Sequence, residues 1–201
     1  TDTNDAITVT VSDAISVSDF ATLNAKTGTD VILTGGMSDE AVNLADTSGS
    51  LSTDFSAATT QDSDVAVTIT SGSGITDANA AQISAVAGIT SGAVTASIAG
   101  DYTTVNALTN TDTNDAITVT VSDAISVSMF NTLNAKTGAD IILTGGITDE
   151  ATAFSSSSGV IEPGLEALSS QDSDVTLTVN DKVNMAQFSD IDASTSVSVV
   201  L

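Results

Sequence analysis

The chain has 201 residues and an extreme charge balance, with 26 acidic residues against three lysines, no arginine and a formal net charge of −23. Binding a phosphate backbone or an anionic membrane surface needs clustered cationic side chains, so the sequence excludes nucleic acid and direct membrane insertion. Histidine and cysteine are absent and no apolar run approaches 18 residues, which excludes the usual catalytic bases, thiol nucleophiles, disulfides and a membrane-spanning helix.

A duplication organises the chain. Residues 1–41 and 111–151 align at a constant offset of 110, and 35 of 41 positions are identical. The block QDSDV occurs at 61–65 and again at 171–175, at the same offset. We therefore predict one continuous repeat domain over 1–201, built from units 1–110 and 111–201, the second truncated as in a piece of a longer array.

Short alternating apolar segments recur along both units and are typical of β-strands. They lie at 7–11, 31–35, 65–70, 93–98, 117–121, 141–145, 175–179 and 197–201. Alternation predicts an inward side chain at Val9, Val67, Val94, Ala96, Val119 and Leu177.

A second pattern, with apolar residues three apart, follows several of these strands and predicts short helices. It occurs at 15–23, 125–133 and, more loosely, at 183–191, and it predicts buried phenylalanines at Phe20, Phe130 and Phe188. Polar residues that favour helix N-caps stand at Ser16, Ser18, Ser38, Thr76 and Asn184.

A strand and a two-turn helix cannot bury their apolar faces alone, whereas successive copies can cover one another. The pattern therefore predicts a repeat β-solenoid with one parallel β-strand plus a short helix or helical turn per coil, similar to a leucine-rich repeat. The alternative is an all-β parallel helix with loops in place of the helical turns.

Two phrases, VTVSDAISVSDFATLNAKTG and ITDANAAQISAVAGITSGAVTASI, extend this pattern over much of a unit. They resemble the repeats of giant secreted bacterial surface or adhesin-like proteins of the cyanobacterial and marine type. The resemblance implies an extracellular or cell-surface location, often with calcium-binding nonapeptides, although no run here has their GGxGxD form.

Acidic residues precede most of the predicted strands. They are Asp5, Asp30, Asp64, Asp115, Asp140 and Asp174. Carboxylates about 5 Å apart repel by roughly 1 kcal/mol in water, so exposure, hydrogen bonds or a cation must relieve the repulsion. Two interpretations stay open: Asx turns that enter each strand, and calcium bound between the carboxylates of adjacent coils, three of which converge in each unit.

The two longest intervals between strands contain serine-rich segments at 45–60 and 153–170, which differ strongly between the units. Such insertions in repeat proteins often lie on a binding face, although unconstrained loop drift is the alternative. If the second segment contacts a partner, the residues we predict to do so are Phe154, Val160, Ile161 and Leu165.

These features favour a non-catalytic structural or adhesive segment of a large extracellular surface protein, such as a surface layer, sheath, fibre or adhesin. Its expected partners are neighbouring repeats, copies of the same protein and surface glycans. A phage or virus tail fibre is the first alternative. An ice-binding solenoid, suggested by outward threonines such as Thr8 and Thr10, and a polysaccharide-cleaving solenoid that uses paired carboxylates follow it.

Overall fold

The structure is a computed structural model that describes residues 6–70 and 78–201. The chain forms two compact units. The first comprises Thr1–Ile98 with Ala107–Ile117, and the second comprises Ala99–Asn106 with Thr118–Leu201.

Short strands alternate with helices along the described residues. The strands are β1 (Val9–Thr10), β2 (Val31–Ile32), β3 (Met37–Glu40), β4 (Val67–Thr70), β5 (Val94–Gly100), β6 (Ala116–Val121), β7 (Ile141–Leu143), β8 (Ile147–Asp149) and β9 (Leu177–Val179). The helices are α1 (Val17–Asn24), α2 (Ala41–Leu44), α3 (Thr53–Gln61), α4 (Ala80–Ala87), α5 (Tyr102–Asn106), α6 (Val127–Asn134), α7 (Ala151–Phe154), α8 (Pro163–Gln171) and α9 (Met185–Ala193).

In the first unit, β1 pairs with β2, β3 with β4 and β4 with β5, all in parallel. Helix α1 packs against α3, and α2 packs against α4. The side chain of Ser16 accepts a hydrogen bond from the Asp19 amide, and the carboxylate of Asp19 accepts one from the Ser16 amide, so this capping box fixes where α1 begins.

The second unit repeats this arrangement. Strand β6 pairs in parallel with β7, and β8 with β9. Helix α6 packs against α8, and α7 packs against α9. Asn184 and Gln187 form a capping box at the start of α9, as Asn79 and Gln82 do at the start of α4. Helix α9 is therefore the counterpart of α4, at an offset of 105 rather than 110.

A Gly-Gly turn ends the strands predicted at 31–35 and 141–145, and a further strand that the alternation did not predict, β3 or β8, begins directly after it. Gly36 has a φ of +78° and Gly146 a φ of +76°, a conformation that glycine adopts without steric cost. The chain changes direction there, so that β2 pairs with β1 while β3 pairs with β4.

The prediction of a repeat β-solenoid is wrong, and so is its all-β alternative. The protein is an α/β fold with a parallel sheet of five strands in the order β3-β4-β5-β6-β7, together with helices and the two-stranded sheets β1-β2 and β8-β9. The prediction assumed one strand per interval. Each Gly-Gly turn instead separates two strands that belong to different sheets.

The predicted inward side chains are mostly buried. Val67, Val94, Ala96, Val119 and Leu177 all lie in the core, which confirms the alternation in these strands. Val9 is only half-buried, because β1 is a strand of two residues with β2 as its neighbour in a two-stranded sheet.

The helical predictions need two corrections. Phe20 and Phe130 are fully buried as predicted, but Phe188 is half-buried, because α9 turns Gln187 and Ile191 inward instead. The serine-rich segments are not plain loops, since they contain α3 and α8. Of the predicted N-caps, Ser16 and Asn184 are confirmed, Ser18 lies inside α1, Ser38 lies in β3, and Thr76 is outside the described residues.

Candidate functional site

The QDSDV block forms a side-chain clamp on the free edge of a strand. The amide of Val31 donates to Oε1 of Gln61 at 2.8 Å, and the amide of Leu33 donates to Oδ2 of Asp62 at 2.6 Å. Gln61 is held in turn by Asn24, whose Oδ1 accepts from Nε2 at 2.8 Å. The two side chains occupy the hydrogen-bonding positions that a further strand would fill, so the clamp ends the β1-β2 sheet at β2.

The second unit builds the same clamp from the same residue types. Its contacts are Ile141 N to Gln171 Oε1 at 3.0 Å, Leu143 N to Asp172 Oδ2 at 2.9 Å and Gln171 Nε2 to Asn134 Oδ1 at 2.7 Å. The exact recurrence of QDSDV was the available sequence signal, but no sequence pattern says which backbone groups these side chains bind.

Replacing Gln171 by alanine should lower the free energy of unfolding by about 1 to 3 kcal/mol, because the amide of the fully buried Ile141 loses its acceptor. Urea denaturation measures the change. Ser170→Ala, at the exposed neighbouring position, is the control and should change it by less than about 0.5 kcal/mol. Equal stabilities of the Gln171 variant and the control would show that the clamp does not hold β7.

Other aspartates cap helices from a distant part of their own unit. Oδ2 of Asp39 accepts from the first amide of α1, at Val17, at 2.9 Å, and Oδ2 of Asp149 accepts from Val127 of α6 at 3.0 Å. Two similar bonds join Tyr102 N to Asp123 Oδ1 and Ala151 N to Asp181 Oδ1, both at 2.7 Å. Carboxylates are favourable at helix N-termini, so part of the acidity of this chain stabilises the fold itself.

A pair of carboxylates lines a notch beside each clamp. In the first unit Asp62 and Asp64 face Thr34 and the Gly-Gly turn, and in the second Asp172 and Asp174 face Thr144. Burial raises the pKa of Asp172. The hydrogen bond from Leu143 opposes this rise, and the neighbouring Asp174 adds to it through a shared hydrogen bond and charge repulsion.

A carboxyl with a raised pKa in the folded state stabilises the protein below its ordinary pKa and loses that contribution as the pH rises through the raised value. Asp174→Asn removes the repulsion, so it should stabilise the protein at pH 7 and not at pH 3. The gain should be about 0.5 kcal/mol, since the pair is largely exposed and screened by solvent. Asp140→Asn removes the same charge from an exposed position, and its change in stability at each pH is the control for the change in net charge.

The predicted metal-site aspartates have different surroundings. Asp30 and Asp140 are exposed, Asp64 and Asp174 are exposed beside the notches, and Asp5 is outside the described residues. Asp115 is buried, where its Oδ1 accepts from Val94 N at 2.8 Å and its Oδ2 from Asp112 N at 3.0 Å. Over residues 6–70 and 78–201 no three acidic side chains form a group that could hold a metal ion.

The predicted contact residues divide between core and surface. Phe154 ends α7 and Leu165 lies in α8, and both are fully buried, so they pack inside the unit rather than against a partner. Val160 and Ile161 are 61% and 42% exposed and line a shallow cleft with Glu166 and Asp190. They belong to a tight hairpin in which the amide of Ser156 donates to the carbonyl of Val160 at 2.8 Å.

No protein-family model, curated protein or solved structure matches this chain. In the described ranges, no helix is both long and apolar enough to span a membrane.

Proposed function

We propose that this chain is a structural or adhesive repeat segment of a large extracellular surface protein and that it is not an enzyme. The observation that carries the proposal is the duplicated clamp. The Gln61–Asp62 pair and the Gln171–Asp172 pair make equivalent contacts in the two units, at distances that agree within 0.3 Å. A framework maintained in duplicate is typical of repeat proteins, which serve as spacers or present surfaces rather than a single reactive centre.

The residues that face solvent support a non-catalytic role. Histidine and cysteine are absent, so the acid–base side chains are the carboxylates, three lysines and one tyrosine, and carboxylates are the ones that occur in close pairs. Asp172 and Asp174 lie together in a notch lined also by Ile142, Thr144 and Thr176, whereas a glycosidase sets its two carboxyl groups on either side of a bound sugar. Asp172 is also committed to the Leu143 amide. The arrangement therefore favours a structural role for this pair of carboxylates over the cleavage of a polysaccharide.

The charge supports an extracellular setting. A net charge of −23 keeps a protein soluble where salt and divalent cations screen its self-repulsion. Several of the carboxylates accept hydrogen bonds from backbone amides, and others, such as Asp30 and Asp140, are exposed and available to cations or to a hydrated glycan surface.

Antibody labelling of the source cells tests the proposal. An antibody raised against the purified chain should label intact, unpermeabilised cells, and brief treatment of the cells with an external protease should remove the signal. Labelling that requires permeabilisation would overturn the extracellular assignment. Adhesion of purified chain to glycan-coated surfaces, compared with uncoated ones, separates an adhesive role from a purely structural one.

Calcium remains part of the proposal as a ligand of the exposed aspartates. A cation that binds only the folded state at 100 times its dissociation constant adds about 2.7 kcal/mol to stability. The melting temperature should therefore be higher in calcium than in chelator at the same ionic strength, with magnesium as the control for a general divalent effect. Equal melting temperatures would show that calcium does not bind the folded protein. Hydrogen bonds and exposure to solvent would then be what relieves the repulsion between the carboxylates.

A further inference from the structure

A cleft in the second unit combines exposed aliphatic side chains with carboxylates. It is formed by the hairpin at 155–161 together with α8 and α9, and we call it the hairpin cleft. The residues that line it are Gly159, Val160, Ile161, Glu166, Ser169 and Asp190. Its volume is about 420 Å³. Ligand pockets begin at about 300 Å³, so the cleft has room for a few side chains of a partner.

Hydrogen bonds from a helix hold the hairpin in the same way in both units. Asn184 Nδ2 donates to the carbonyl of Ser157 at 3.0 Å, and Gln187 Nε2 donates to that of Ser155 at 3.0 Å. The corresponding asparagine and glutamine of α4 make the equivalent bonds to the hairpin of the first unit, at 3.1 and 2.9 Å. The backbone under the cleft is therefore common to the two units.

The side chains on this common backbone differ between the units. The first unit has, at the positions equivalent to Val160, Ile161, Glu166 and Asp190, the residues Ser50, Leu51, Ser56 and Ala85. Ser50 is exposed as Val160 is, so this place lies at the surface of both units. The first unit forms the same hairpin without either carboxylate. The hairpin itself therefore does not require the two charges, which indicates a use for them outside the fold.

Both carboxylates retain the capacity to bind a further group. Oδ2 of Asp190 accepts from Oγ of the buried Ser155 at 2.9 Å, which holds this side chain against the hairpin. Over residues 6–70 and 78–201, no hydrogen bond or cationic side chain occupies Oδ1 of Asp190 or the carboxylate of Glu166. The chain has only three lysines and no arginine, and none of the lysines pairs with either acid.

The combination of aliphatic surface and negative charge matches the side chain of lysine or arginine. Each has a positive head on an aliphatic stem, so the stem can lie on Val160 and Ile161 while the head meets Asp190 or Glu166. Val160 is 61% exposed, which leaves area for a neighbouring apolar side chain of the same partner. A glycan offers hydroxyls or further negative charge, and neither packs on two aliphatic side chains.

We propose that the hairpin cleft binds a basic, partly apolar segment of another protein, whose lysine or arginine meets the carboxylates of Glu166 and Asp190. The net charge of −23 attracts such a segment to the chain as a whole, and the aliphatic part of the cleft determines where it binds. This inference names a partner for the adhesive role proposed above and rests on that proposal.

Fluorescence anisotropy on the full chain tests the proposal with a labelled hexapeptide of alternating lysine and leucine, in about 0.05 M sodium chloride. One control peptide has glutamate in place of lysine, and another has serine in place of leucine. Both controls should bind at least about tenfold more weakly than the lysine–leucine peptide, because each loses one half of the match. Failure of the lysine–leucine peptide to bind, or equal binding of the serine control, would overturn the proposal.

Variants of the chain locate the binding. Val160→Ser, which introduces the residue of the first unit, and Asp190→Asn, which keeps an acceptor for Ser155, should each weaken binding about fivefold. Asp192→Asn makes the same chemical change at an exposed position of α9 and should change the affinity by less than about twofold. Circular dichroism checks that each variant is folded.

Equal effects of Asp190→Asn and Asp192→Asn would show that the peptide responds to net charge and not to the cleft, and would overturn the proposal. Wild-type affinity of Val160→Ser would overturn it as well. The peptide experiment uses purified protein, so its result is independent of where the protein resides. Surface labelling of intact cells therefore judges the proposed function separately.

Discussion

Phe130→Ala should lower the free energy of unfolding by about 3 to 5 kcal/mol, the cost of removing a fully buried aromatic ring and leaving a cavity. Phe130 lies in α6, which packs against α8, where Leu165 and Leu168 are also fully buried. These short helices gain little stability from their own hydrogen bonds, so packing of this face holds them in place.

Urea denaturation followed by circular dichroism measures this loss. Met185→Ala is the matched control because that side chain is 83% exposed, and it should change stability by less than about 0.5 kcal/mol. Phe20→Ala, at the equivalent buried position of the first unit, should cost a similar amount as Phe130→Ala. A change below about 0.5 kcal/mol for Phe130→Ala would show that α6 does not turn this face inward.

Gly145→Ala should lower the free energy of unfolding by about 3 kcal/mol. The reason is a steric clash of the new Cβ atom with the backbone, not the loss of a conformation that only glycine adopts. A Cβ atom at this position would lie 2.1 Å from the carbonyl carbon of Asp123 and 2.2 Å from its oxygen. Backbone cannot rotate away as a side chain can, so the chain must shift and strain the turn between β7 and β8. Gly35 meets Asp13 in the same way in the first unit, at 2.3 Å.

Thermal denaturation measures the effect, with Gly138→Ala as the control at an exposed position just before β7. The control should change stability by less than about 0.5 kcal/mol. If both glycine variants melt together, the close approach at Gly145 is not a constraint on the fold.

The acidity of the chain has a structural explanation as well as a solvation one. Asp39, Asp62 and Asp115 each accept hydrogen bonds from backbone amides far away in the sequence. A carboxylate used in this way replaces a missing strand or caps a helix. The position of such an acid is then fixed by the fold.

Local sequence patterns predicted most of the strands and the helices α1, α6 and α9. Alternation of β-branched residues placed Val67, Val94, Val119 and Leu177 inward, because successive side chains of a strand point to opposite faces. The three-residue spacing of Phe130 and Leu133 placed both in the core for the corresponding helical reason. The recurrence of QDSDV at an offset of 110 was visible in the sequence, and the two clamps built from it make equivalent contacts.

How those elements combine depends on contacts between residues that are far apart in the sequence. Whether a strand continues its sheet or ends it depends on which groups meet its free amides, and at Val31 these are the side chains of Gln61 and Asp62, about 30 positions away. The direction taken at Gly36 likewise depends on a backbone conformation that the residue permits but does not impose. Local patterns predict whether a segment is a strand or a helix. The order of the strands in the sheets follows instead from contacts between residues distant in sequence, and such contacts leave no periodic pattern in a single sequence.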